Sequence, residues 1–294
     1  MNSEKHHHIK YLLIVFAAGL LGSLPWLFGW LTLSGLGEID SPAELAKRIT
    51  PTHFYDSGIH DYYREIPLSL MRSRQPEVLA FGSSRSLDFN QAFFTAPFSC
   101  ICRSMNSIDE AYVMAQSVLR EPAAKKVKLV LFPLDFWWFF RADTKSRGEV
   151  DDPAISRLTA VKLLTPFTWW KEDKISLLQL LGVQSIPNAG PVNVSGFNGR
   201  TGGSGITPDG SLFYGIRYRP ESVEYYREIA EGVAKPANYI MTVERYGPDQ
   251  KVNPQKIVML QKTLQLFADK GIHVISFLAP LMPEFYQAIT DSPR

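Results

Sequence analysis

Residues 78–90 read VLAFGSSRSLDFN, an apolar run that breaks into Gly82-Ser83-Ser84-Arg85-Ser86, and how that run is buried decides the fold. Four apolar residues without alternation suit a strand covered on both faces, as in a parallel sheet wrapped by helices. Two further runs share this character, KLVLFPL at 128–134 and HVISFLAP at 273–280. Between the first two lies IDEAYVMAQSVLREPAAKK, with Ile108, Tyr112, Ala115 and Val118 or Leu119 at helical spacing. Before the third lies NPQKIVMLQKTLQLFADKG, an amphipathic helix ended by Gly271. Strand, helix, strand and later helix, strand predict an α/β fold with a mostly parallel sheet.

Ligands of such sheets bind at the carboxyl ends of the strands, so the turn GSSRS stands where a site is expected. A serine there is a weak nucleophile unless a base takes its proton and donors hold the oxyanion. Its sequence neighbours supply no base, and the plain alternative is a polar loop.

Upstream, residues 11–37 (YLLIVFAAGLLGSLPWLFGWLTLSGLG) run for 27 residues without a charged side chain, long enough to cross a bilayer. A cleaved signal has a shorter apolar region and a small-residue cleavage site, so a transmembrane anchor is the expectation. Lys5, Lys10 and the run His6-His7-His8 precede it and Glu38 and Asp40 follow it. The cationic excess is thus N-terminal, which places residues 1–10 in the cytoplasm and the rest outside the inner membrane, periplasmic or extracellular. Trp26 and Trp30 fall toward the outer interface, and Pro25 is a candidate kink. Three flexible imidazoles make a weak ligand set, so no metal is expected there.

Residues 38–74 read as a juxtamembrane helical segment: SPAELAKRIT has Ser41 as N-cap, Pro42 at the first helical position and Glu44 at capping-box spacing. DYYREIPLSLMRSR is a second helix, interrupted or bent at Pro67. Asp56 and His60 show an acid/base spacing, but on a segment expected to be a solvated helix. The domain proper spans 75–294, with an insertion at about 141–245. The insertion's Gly/Asn/Pro/Ser-rich stretch reads either as a surface loop or as a substrate-side lid or partner surface. Trp169 and Trp170 read as packing for it rather than as a carbohydrate platform.

A net charge of +2 and the lack of a basic stripe interleaved with aromatics exclude nucleic acid as an expected partner. No nucleotide loop or metal cluster is recognisable, and no cofactor is expected. The two cysteines, Cys100 and Cys102, are separated by one residue, which makes a mutual disulfide look difficult, and with no nearby His they make no zinc site.

An N-terminal anchor followed by a strand ending in FGSSRS resembles the SGNH (GDSL-type) hydrolase superfamily, particularly its membrane-anchored branch that includes DltD and the alginate O-acetylation proteins. The resemblance implies a three-layer α/β/α sandwich and acyl-ester chemistry on cell-envelope carbohydrate, alone or with a membrane-bound O-acyltransferase as partner. Gly82-Ser83-Ser84 occupies the first motif, which makes Ser84 the match to the nucleophile, with Arg85 where DltD-like proteins carry an acid and available to hold an anionic glycan or polymer. Met105-Asn106-Ser107 is the nearest match to the second motif, with Asn106 as oxyanion donor. Asp135 in Pro133-Leu134-Asp135 stands at the third-motif position, where a carboxylate donates only if protonated. The fourth motif, Asp-x-x-His, has no counterpart, and His273 reads as a core or sheet-face residue. The resemblance therefore implies either a truncated domain, with apolar surface uncovered at the C-terminal edge of the sheet, or a non-catalytic module that binds an envelope polymer or an acyltransferase.

Overall fold

The computed structural model describes residues 2–60, 62–103, 105–140, 158–189, 192–213 and 251–278. The side chains of His6 and His7, the insertion at 141–157 and 214–245, and everything from Ala279 onward lie outside the described residues.

The N-terminal apolar run forms one helix, α1 (Asn2–Leu36), whose part Lys10–Leu36 has a mean hydropathy of 2.0 and is long and apolar enough to cross a membrane. Helix α2 (Pro42–Arg48) starts as its sequence predicts, with the Ser41 hydroxyl accepting from Glu44 N and the Glu44 carboxylate accepting from Ser41 N. A short strand β1 (His53–Tyr55) precedes helix α3 (Glu65–Arg74). Pro67 does not bend that helix, because it falls in the first turn, where its missing N–H has no intrahelical partner to lose.

Strand β2 (Val78–Phe81) is followed by β3 (Phe98–Ile101), helix α4 (Ile108–Arg120) and β4 (Leu129–Leu134). The described part of the insertion holds helices α5 (Ala160–Leu163), α6 (Thr165–Lys171) and α7 (Leu177–Leu180). It continues with β5 (Asn193–Ser195), α8 (Phe197–Gly202), β6 (Gly205–Ile206) and β7 (Leu212–Phe213). After the insertion come helix α9 (Pro254–Ala268) and strand β8 (His273–Leu278).

The protein is α/β, with a four-stranded parallel sheet in the order β3-β2-β4-β8. The chain starts at β2, steps to β3 on one side and crosses to β4 on the other, so the winding reverses between β2 and β4. In open α/β sheets that reversal opens a crevice at the carboxyl edge. All four residues of β2 are buried, and they divide by the period of the strand. Leu79 and Phe81 enter a core with Met114, Val118 and Phe267 from α4 and α9. Val78 and Ala80 face a second cluster with Phe98, Cys100, Phe89 and Leu212. Helices α4 and α9 are also tied by the buried Lys256, whose ammonium donates to Asp109. On β8, Ile275 and Leu278 are exposed.

A second, mixed sheet runs β5-β1-β6-β7, so the segment before β2 and the insertion after β4 fold together. The insertion also covers the outer edge of β3: Cys100 N donates to Asp209 O at 2.6 Å, and a side chain at Gly210 (φ +84°) would lie 2.3 Å from Cys100 O. Trp169 stacks on Phe197 at 3.7 Å, which makes it a packing residue of this unit.

Two expectations are corrected here. Cys100 and Cys102 are joined as a disulfide: Cys102 lies just past the end of β3, and the two Cα atoms are 5.4 Å apart, within the span a disulfide bridges. Asp56 and His60 do not lie on a solvated helix: both are buried after β1, and they do not pair with each other. Asp56 accepts from Tyr63 Oη and Ser204 Oγ, while His60 Nε2 meets Glu38 O and Nδ1 meets Lys162 Nζ at 2.9 Å.

Glu38 fastens α1 to the rest of the molecule. Fully buried, it accepts from Gly58 N and Phe197 N at 2.7 Å each, and from the hydroxyls of Ser57 and Tyr55. Burial holds its pKa above the ordinary value despite these donors. Gly196 N donates to Leu36 O at 2.7 Å beside it. A Glu38→Ala change leaves the buried Phe197 amide and the half-buried Gly58 amide without an acceptor, at about 1–3 kcal/mol for a buried group, so the expected loss is on the order of 3 kcal/mol. Glu38→Gln, which keeps a carbonyl acceptor, should lose less. Thermal unfolding of the full chain in detergent measures both, and a wild-type midpoint for Glu38→Ala would contradict this role.

Candidate functional site

The site is built where β2 runs out, at the carboxyl edge of the sheet beside β4. Gly82 N still donates to Ile101 O at 3.3 Å, but the chain must then turn sharply. A side chain at Gly82 would lie 2.7 Å from Ser86 Oγ and 3.4 Å from Pro133 O, so glycine permits the close return of the turn against β4. Residues Ser84–Ser86 form a single 3₁₀ turn. Ser83 caps it by accepting from Arg85 N, and the buried Ser86 hydroxyl donates to Ser83 O at 2.9 Å. Of the three serines, Ser83 and Ser86 are thus consumed in holding the turn. Ser84 is exposed, and its hydroxyl has no partner among the described residues.

Arg85 bends toward the end of β4, with Nη1 3.7 Å from Asp135 Oδ1 and its guanidinium carbon 5.3 Å from the Trp137 ring centre. Its pKa is lowered by burial, with Asp135 opposing. Asp135 follows the end of β4 and is 1% exposed. Burial raises its pKa; the Ser83 hydroxyl and Arg85 lie near enough to favour the anion, but neither carboxylate oxygen completes a hydrogen bond. Burial thus shifts Asp135 toward its neutral form, the form in which a carboxyl can donate. Trp138 beside it is fully buried, with Nε1 also lacking a hydrogen-bond partner.

Asn106 is exposed in the turn before α4, beyond the end of β3, and its backbone N–H is already given to Glu110 at 2.7 Å. Only its side chain is left to serve a ligand. The structure therefore brings Ser84, Arg85 and Asp135 to one edge, with Asn106 after the neighbouring strand. Sequence reading missed Trp137, the ring beneath Arg85; the aromatic run FWWFF directly after a strand end was its only signal.

None of His53, His60 and His273 serves this edge. His53 Nε2 bonds Ser195 Oγ in the mixed sheet, and His60 is held by Glu38 and Lys162. His273 is exposed at the first position of β8, paired with Leu129 and so level with Val78, at the opposite end of the sheet. Over β2 alone that separation is about 10 Å. Among the described residues, no group of three or more His, Cys, Asp or Glu is placed to hold a metal ion. Comparisons with known protein families, curated proteins and solved structures find no match for this chain.

The raised pKa of Asp135 has a signed consequence. Between the unfolded value, about 3.9, and the higher folded value, the native state binds more protons than the unfolded one, so stability falls as pH rises through that window. Asp135→Asn should remove this component. Thermal unfolding compared at acid and neutral pH should show wild type losing more stability than Asp135→Asn. Parallel pH dependence in the two would contradict the assignment.

Proposed function

We propose that this chain is a single-pass protein of the inner membrane, N-terminus inside, whose outward-facing domain is an SGNH-like three-layer sandwich. It acts in transfer or removal of acyl groups, chiefly acetyl, on cell-envelope carbohydrate. One observation carries this reading: Ser84 presents an exposed hydroxyl, without a partner among the described residues, at the carboxyl edge of a parallel sheet just after its first strand. Ser84 Oγ attacks the ester carbonyl, the alcohol leaves with a proton, and a seryl ester forms; an acceptor hydroxyl or water then takes the acyl group and frees the serine. The Ser84 N–H and the Asn106 side chain hold the oxyanion, and a protonated Asp135 adds a donor. Arg85 offers its planar fork to an anionic glycan or polymer. The base that takes the Ser84 proton is not among the described residues.

The location rests on α1, on the cationic excess before it, and on the Cys100–Cys102 disulfide, a bond typical of oxidising compartments. A second reading is favoured by the lack of a histidine at the site among the described residues. In it the domain binds an envelope polymer or a membrane O-acyltransferase without performing chemistry itself.

The two readings separate in one assay. The purified full chain in detergent is given a chromogenic acetyl ester, beside Ser84→Ala. The enzyme reading predicts that the variant loses about 100-fold or more of the rate. Equal rates would contradict it and favour the binding module.

A further inference from the structure

The insertion helices around the end of α1 carry apolar side chains inward and outward, with an exposed charged turn, residues 171–174, between α6 and α7. Inward, Leu163, Trp169 and Leu180 pack with Leu33 and Leu36 of α1. Outward, Val161, Trp170, Leu177, Leu178 and Val183 are between 43% and 79% exposed. In α5 the usual order of a water-facing helix is inverted: Lys162 turns to the buried His60 while its neighbour Val161 points out. A helix apolar all round belongs in a core or against lipid rather than in water.

The length of α1 says which. Its backbone meets the insertion at Gly29, where a side chain would lie 1.7 Å from Leu163 O, and Thr32 Oγ1 donates to Leu180 O at 2.8 Å. The part left for lipid, Tyr11 to Phe28, is about 27 Å long at 1.5 Å per residue, against a hydrocarbon core of about 30 Å. The surrounding helices therefore begin where the apolar thickness ends, level with the exposed Trp26 and Trp30.

We infer that residues 160–183 form a collar that beds into the outer interfacial layer of the bilayer through Val161, Trp170, Leu177, Leu178 and Val183. This rests on the reading of α1 as a membrane anchor. The domain is then held against the membrane surface, with Glu38 and Gly196 fastening the helix end.

Single cysteines at Leu178 or Val183 carry an environment-sensitive dye in the full chain reconstituted into phospholipid vesicles. Cysteines at Leu20, deep in α1, and at Lys262, exposed on α9, serve as references, and the unchanged chain serves as blank. Quenching by doxyl-labelled lipid is compared with quenching by aqueous iodide. The collar predicts that the Leu178 and Val183 positions follow Leu20 with lipid quencher and resist iodide, while Lys262 behaves oppositely. If Leu20 is lipid-quenched but the two collar positions follow Lys262, the collar is overturned and the anchor stands. If Leu20 itself is quenched by iodide, the anchor reading fails and the collar with it.

Discussion

The burial of Val78–Phe81 on both faces, between two parallel neighbours, is the constraint on which the rest depends. Leu79 and Phe81 are committed to one core, Val78 and Ala80 to the other, and the backbone is bonded to β3 and β4. No polar side chain fits until the strand ends. At Gly82 the chain is released at the one edge where the winding of the sheet reverses, so the first polar residues after the strand are also those nearest the crevice. The same geometry places Asp135 directly after β4, with its carboxyl beside Arg85. The turn is therefore no ordinary polar loop: two serines hold its shape and the third is displayed.

Much of this was legible. Short apolar runs gave the parallel strands because burial on both faces removes alternation, and Ser41-Pro42-Glu44 and Asn253-Pro254 mark helix starts by local hydrogen bonding that needs no tertiary context. Strand β3 was less visible, since FSCI carries a serine that is fully buried in the fold. The mixed sheet was not legible at all: β1 and β5 are three residues each and pair across about 140 positions, a contact no local pattern encodes. The same limit hid the partners of His60 and Glu38. Residue types at the site could be read, but the direction in which Arg85 folds and the unbonded state of Asp135 are properties of packing.

The two halves of the molecule share one logic. Apolar residues that no local rule places, such as Val161 and Val183, make sense when the solvent on that side is lipid, just as Asp135 makes sense when its neighbours keep water away. Helix α1 is not joined to the rest by a loose linker. Leu36, Glu38 and the loop at Ser57 and Gly58 bind it to both segments of the mixed sheet, so the direction of α1 is fixed relative to the domain that carries the candidate site.

The central claim is that the turn after β2 displays Ser84 alone for reaction. It is tested most directly by treating the full chain with a fluorophosphonate and locating the adduct by peptide mass spectrometry. The account predicts phosphonylation of Ser84, with Ser83 and Ser86 unmodified. An adduct on Ser83 or Ser86, or no adduct on this turn, would contradict it.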